Sequence, residues 1–236
     1  HVGSPAETLV EYASQIQPDL ILMGAKGLRA TLGILLGGVA QQVVEYAGFP
    51  VMVVRAPYQG LRQVLFATDG SVPSQGAMKY LARFPLPDEV ELHLVHVLPP
   101  EPVPEVVLAA WPVGVELIPP LPAPEREEQS PRNAEEERHG RLLLEHSRKT
   151  FAQLRAEAFP NRSNEPRTVP ALLRGDAATE ILAYAKSHQV DLIVAGSRGL
   201  SPIRRWLLGS VSRKLVHYAP CSVLIVHAAK TNRAAR

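Results

Sequence analysis

The chain has 236 residues, 46% hydrophobic and 20% charged, with 25 basic and 23 acidic side chains. That balance leaves no global charge excess for a nucleic-acid or membrane footprint. A single cysteine, Cys221, excludes an internal disulfide framework and a cysteine-rich metal centre. No apolar run reaches the about 18 residues that a membrane span needs, and no basic start leads into an apolar segment of signal-peptide type. A cytoplasmic protein without nucleic-acid or membrane partners is the expectation, from a chain that begins at His1.

Residues 1–55 read as the end of a strand, two helices and two apolar strands, "DLILMG" and "PVMVVR". They repeat later. "GSPAETLVEYASQIQPDLILMGAKG" (Gly3 to Gly27) superposes without a gap on "GDAATEILAYAKSHQVDLIVAGSRG" (Gly175 to Gly199), at an offset of 172. The match continues to residue 55, and about twenty of the 55 paired positions are identical, so the chain contains an internal duplication. Such a fragment cannot cover its own sheet, which implies a truncated first domain or a half-domain completed from outside. Residues 56–60 are a linker.

The second copy, residues 61–236, is complete. "RQVLFATDG" is a buried strand ending near Asp69. "SVPSQGAMKYLARF" is a helix with Ser71 or Ser74 as N-cap. "VELHLVHVL" is the second strand. Residues 99–131 form a Pro- and Glu-rich insertion whose prolines forbid a regular helix or central strand. It is read as a loose surface excursion with room for a short helix over Val106–Trp111. The Glu residues from Glu125 to Glu137 are the solvated start of a long amphipathic helix. On that helix Leu142, Leu143, His146, Phe151 and Leu154 share a face.

"RTVPALLRG" is a third strand with a kink at Pro170, and "DAATEILAYAKSHQ" is a helix capped by Asp176. "DLIVAG" is the fourth strand, a helix covers about Arg204 to Tyr218, and "SVLIVH" closes the copy. Short apolar strands alternating with helices predict a doubly wound parallel sheet covered on both faces.

After the fourth strand comes "GSRGLSPIRRWLLGS". Its spacing, Gly196, two residues, Gly199, nine residues, Gly209, then Ser210, falls beyond a strand's carboxyl end, where doubly wound sheets bind ligands. Gly196 and Gly199 let backbone approach a bulky anion and permit positive φ. Helix N-terminal amides and a hydroxyl suit phosphate oxygens, and Arg198 adds positive potential. Arg204 and Arg205 read as a solvated face. The stretch is neither a Walker A loop nor a dinucleotide GxGxxG. His93 and His96 share a strand with no further ligand cluster and read as packing residues; Cys221 reads as a core or interface residue.

The pattern G-2x-G-9x-G-S after "DLIVAGS" closely resembles the ATP-binding motif of the universal stress protein family. "FATDGS", "LHLVHV", "RGDAATEI" and "GSVSRKLVHYAPCSVLIV" resemble further blocks of that family in the same order. The resemblance implies an adenine nucleotide alpha hydrolase-like α/β fold in tandem, each unit a five-stranded parallel sheet of order 3-2-1-4-5. It implies that Asp69 contacts the ribose side of the nucleotide, that Ala67 and Thr68 lie beside the base, and that the Val97 backbone reads adenine. Gly196, Gly199, Gly209 and Ser210 would form the phosphate loop, extended by Val211 and Ser212. The implied cofactor is ATP, with Mg left open, and the implied role a nucleotide-dependent stress-response module. No residue is assigned as catalytic.

A slow ATPase of the same fold, a nucleotide-independent interaction module, and AMP or a cyclic nucleotide as ligand stay open. In the first copy Gly24, Gly27 and Gly37 are kept, but Gly38 stands for Ser210 and Ala40 for Ser212. That copy also has no counterpart of Asp69 or Val97, and it is not expected to bind nucleotide alone. Family members often pair through their last strands. Residues 50–55 and 222–227 are therefore expected to pair, within one chain as a pseudo-dimer or between chains as a homo-oligomer. A protein partner is left unspecified.

Overall fold

A computed structural model describes residues 3–26, 36–58, 60–101, 131–162, 165–199 and 208–227. The apolar runs become β1 (Ile21–Gly24), β2 (Val51–Val54), β3 (Gln63–Ala67), β4 (Glu91–Leu98), β5 (Arg167–Arg174), β6 (Leu192–Gly196) and β7 (Ser222–Val226). The helices are α1 (Pro5–Ile16), α2 (Gly38–Tyr46), α3 (Val72–Arg83), α4 (Pro131–Ala158), α5 (Ala177–Ser187) and α6 (Ser210–Tyr218).

All seven strands join one sheet in the order β1-β2-β7-β6-β3-β4-β5. Within the complete copy, β3 to β7 run parallel, and their order is the expected 3-2-1-4-5. The expectation of five-stranded sheets needs correction at the sheet's edge. β2 adds antiparallel to β7, with Val51 opposite Ile225, Met52 opposite Leu224 and Val53 opposite Val223. The sheet therefore has seven strands and is not wholly parallel. An edge strand's unpaired amides and carbonyls are a template for further pairing, and here the same chain supplies the partner.

The two faces of the sheet hold separate cores. On one face α1, α2, α5 and α6 pack with Val43, Val53, Leu65, Ile193, Leu215 and Ile225 in a cluster that runs through both copies. On the other, α3 and α4 cover Val64, Phe66, Leu92, Val194 and Leu224. Burying each such side chain contributes about 1.5–3 kcal/mol relative to exposure.

Helix starts follow their caps. The Ser71 side chain accepts a hydrogen bond from the Ser74 amide and opens α3, and Asp176 accepts from Thr179 to open α5. Pro170 is accommodated without interrupting β5, the outermost strand on that side.

Two expected helices need revision. The buried stripe of α4 is Leu144, Ser147, Phe151 and Arg155, whereas Leu142 is 57% exposed. Arg155 is drawn inside because its guanidinium donates to the carbonyls of Ala82 (3.2 Å) and Phe84 (2.6 Å) at the C-terminal end of α3. The last helix begins at Ser210 rather than near Arg204. Gly209 is its N-cap with extended backbone, φ −63° and ψ 155°. The helix proposed for Val106–Trp111, and Arg204 and Arg205, lie outside the described residues. Among the described residues no helix is long and apolar enough to cross a membrane.

Candidate functional site

The carboxyl ends of β3, β4 and β6 lie side by side, with Ala67 opposite both Val95 and Ala195. Beyond them stands the turn "TDGS". Asp69 Oδ1 accepts hydrogen bonds from the Ser71 amide (3.0 Å) and the Ser71 hydroxyl (2.6 Å). This local ring is what an Asp two residues ahead of a Ser tends to form. It fixes the carboxylate at the N-terminus of α3. Gly70 completes the turn with φ +74°.

The other carboxylate oxygen faces the glycine loop. A Cβ at Gly199 would lie 2.5 Å from Asp69 Oδ2, so only glycine fits against the acid as it stands. Gly196 meets a second wall: its Cβ would lie 3.0 Å from the Pro73 backbone carbonyl atoms and 3.1 Å from the Ser74 amide. Positive φ, expected at these glycines, is found instead at Gly60, Gly70 and Gly175 among the described residues. Gly196 and Gly199 are small because α3 and Asp69 come close.

The loop is held at both ends by backbone. The Ser197 amide donates to the Val226 carbonyl (2.9 Å) and the Gly209 amide to the Ser197 carbonyl (2.8 Å). The Ser212 hydroxyl, buried, donates to the Gly196 carbonyl at 2.7 Å. Its proton is thereby committed to the frame. Ser210 is exposed in the first turn of α6, where the helix amides lack intrahelical partners. Arg198 is half-buried between Gly196 and Gly199, Val211 is half-buried against the core, and Val97 is half-buried on β4. Thus Asp69, Gly196, Arg198, Gly199, Gly209, Ser210 and Ser212 are gathered at one end of the sheet, with Ala67, Thr68 and Val97 on the adjoining strand ends.

Sequence reasoning named Thr68 but missed His96, which it read as a packing residue and which helps to set this geometry. Thr68 is buried, its hydroxyl 2.9 Å from that of Ser74. Its carbonyl accepts from His96 Nδ1 (2.8 Å), so His96 orients the turn. The signal was the His at the end of β4 beside an acidic turn. His93 is buried elsewhere, between Tyr184 (2.9 Å) and Gln63 (2.7 Å). Burial pushes the Cys221 thiol up to about 12, so it is no thiolate nucleophile. A cleft of about 250 Å³ between the linker and Lys186, Asp191 and Cys221 lies at the opposite, amino ends of the strands.

The first copy rebuilds half of the frame. The Ala25 amide donates to the Val54 carbonyl (2.9 Å) and the Gly37 amide to the Ala25 carbonyl (2.7 Å). These are the duplicates of the Ser197 and Gly209 bonds. A Cβ at Gly24, however, would meet only Lys26 O, at 3.5 Å, because no counterpart of α3 stands there among the described residues.

The profile of the Universal stress protein family matches residues 1–55 and 60–227. A universal stress protein of Bacillus subtilis (strain 168), YxiE, is 32% identical over 164 residues, 70% of this chain and 97% of that one. Universal stress protein UspA from Lactobacillus plantarum has the same fold over 71% of this chain and 98% of its own, with TM-score 0.50 and 20% identity. A universal stress protein from Archaeoglobus fulgidus DSM 4304 matches 97% of this chain and 67% of its own, with TM-score 0.56 and 20% identity. The duplicated profile, the strand order of the complete copy and the glycine frame beyond β6 agree: the chain belongs to the universal stress protein family.

Proposed function

We propose that the complete copy binds an adenine nucleotide, ATP foremost, and that its occupancy regulates contacts in a stress response. The observation that carries the reading is the cradle between Asp69 and Gly199, where a side chain on residue 199 would collide with the carboxylate. The donors suit the ligand. The first-turn amides of α6 and the exposed Ser210 favour phosphate oxygens, and Arg198 adds charge. Asp69 Oδ2 is left to accept from ribose hydroxyls while Ser71 holds Oδ1. Ala67, Thr68 and the Val97 backbone flank the base, and Val211 and Ser212 continue the phosphate loop, Ser212 as a brace for Gly196.

Bound ATP would bring triphosphate charge, with or without Mg, to the N-terminus of α6. No side chain is assigned as a general base, so the reading is a binding module rather than an enzyme.

The test is to denature freshly purified protein and chromatograph the released nucleotide, then to add back ATP, AMP and cAMP in competition. Adenine nucleotide near one per chain, with ATP the strongest competitor, is expected. Protein that carries none and takes up none after desalting overturns the reading.

A further inference from the structure

α2 of the first copy and α6 of the second meet across the seam, and a narrow crevice between them is lined from both. The two helices are duplicates, and so are the positions that line the crevice. Val44 and Val216 keep their character, but the polar positions do not: Arg213 is matched by Gln41, and Glu45 by His217. The backbone is the same on both sides. The Arg213 amide donates to the Gly209 carbonyl (2.9 Å) and the Gln41 amide to the Gly37 carbonyl (3.0 Å). The side chains differ in what they do. Arg213 Nη2 donates to Glu45 Oε1 at 3.1 Å, an ionic tie between the copies on the side that keeps Ser210. Gln41 and His217 hold the equivalent positions on the side where Gly38 stands for Ser210.

Arg213 stands three residues after the exposed Ser210 on α6. Helical side chains lean toward the N-terminus, so Arg213 reaches back over Ser210. Its side chain is 47% exposed and that of Glu45 15%. An ion pair so open to water is held weakly, and a guanidinium fork matches phosphate oxygens closely. Lys214, next in the chain, is turned instead to Asp176 at the start of α5, 3.3 Å away. The contacts lead outward from the acid. Asp69 Oδ2 adjoins Gly199, Gly199 adjoins Gly209, and α6 runs from Gly209 through Ser210 to Arg213. With the ribose at Asp69, the phosphates farthest from it come to Arg213.

We infer, given nucleotide binding at the complete copy, that Arg213 is the side-chain ligand of the terminal phosphates and that Glu45 competes for it. ATP therefore draws Arg213 away from Glu45 and releases the tie between the copies, whereas AMP, too short to reach, leaves it closed. The degenerate copy then has a part in the site: it supplies the carboxylate that the triphosphate must displace.

The experiment titrates ATP and AMP calorimetrically into the full chain as parent, Arg213→Gln, Arg213→Lys, Glu45→Gln and the double variant Arg213→Gln with Glu45→Gln. Arg213→Gln, which copies Gln41, is expected to weaken ATP about tenfold and to leave AMP within about twofold. Arg213→Lys is expected to recover part of the loss. Glu45→Gln is expected to tighten ATP about threefold, a gain that vanishes in the double variant because Glu45 acts through Arg213. A role confined to holding the seam would instead weaken both nucleotides alike in both single variants, and that result overturns the inference. So does an unchanged ratio of ATP to AMP affinity in Arg213→Gln, or a Glu45→Gln gain that survives in the double variant; in these cases nucleotide binding itself still stands. A parent that takes up neither nucleotide overturns the nucleotide reading, and the inference with it.

Discussion

Met52 and Leu224 face each other across the antiparallel pairing of β2 with β7, and they are the same position of the duplicated sequence. A two-fold axis relating the two copies passes between them, because Val51 and Val53 pair with each other's duplicates, Ile225 and Val223. The chain is thus a pseudo-dimer through its last strands, and the edge of β7 is satisfied internally. Of the two arrangements that the sequence left open, pairing within one chain is the one formed.

That seam sets the first prediction. Val53 is fully buried within the shared core, so Val53→Asp leaves an unpaired carboxylate between the copies. A loss of about 3 kcal/mol or more is expected, measured by urea denaturation. Val53→Ile adds only one methylene to the packed core and should cost less, about 1–3 kcal/mol.

The same axis relates two helix ends of unequal chemistry. Arg55 Nη2 donates to the carbonyls of Val216 (2.7 Å) and His217 (3.1 Å) in the last turn of α6. His227, the duplicate of Arg55, lies half-buried near the Val44 carbonyl toward the end of α2, and its buried Nε2 has no hydrogen-bond partner among the described residues. Burial, with Arg198 nearby, pushes the His227 ring down to about 4 from an ordinary 6.5. Between these values the unfolded chain binds more protons than the folded one. The contribution is therefore fully present above pH 6.5 and lost as pH falls toward 4, by roughly 2–3 kcal/mol. His93, also lowered by burial, acts in the same direction. The diagnostic is thus the difference between parent and His227→Gln: the variant's stability should fall less over this window in denaturant titrations at stepped pH.

Glycines that look equivalent should not behave alike. Gly24→Ala meets nothing closer than 3.5 Å and is expected to leave stability within about 0.5 kcal/mol of the parent. Gly196→Ala presses on the backbone of Pro73 at 3.0 Å and is expected to cost about 1–3 kcal/mol. Paired thermal melts of the two variants check this contrast.

Arg155 ties α4 to the chain leaving α3 and lies over the Phe159 ring, 4.5 Å from its centroid. Arg155→Met strands the Ala82 and Phe84 carbonyls and is expected to cost about 3 kcal/mol. Arg155→Lys should recover less than half, since an ammonium lacks the fork that serves several carbonyls at once. Urea midpoints at constant m-value would show both effects.

Much of this architecture was legible in the sequence because duplication gives two views of the same elements. The ends of β3 and β6, the caps Ser71 and Asp176, and the position of the glycine loop all follow from local pattern. The antiparallel join did not, since "PVMVVR" shows that a strand is apolar on both faces but not which way its partner runs. The face of α4 was misread because a guanidinium, Arg155, fills the core position that an apolar residue was expected to hold. Gly196 and Gly199 were read for close approach of an anion and for positive φ, whereas the close neighbours in the structure are residues 73 and 69, brought near only by tertiary packing.

On the proposed function, one cradle, built by Asp69 against Gly199, takes the nucleotide. The deciding measurement is isothermal titration with ATP on the parent, Gly199→Ala and Gly24→Ala. One site per chain is predicted, with affinity reduced at least tenfold by Gly199→Ala at unchanged fold and untouched by Gly24→Ala. No binding by the parent at millimolar ATP, two sites per chain, or full affinity in Gly199→Ala would contradict it.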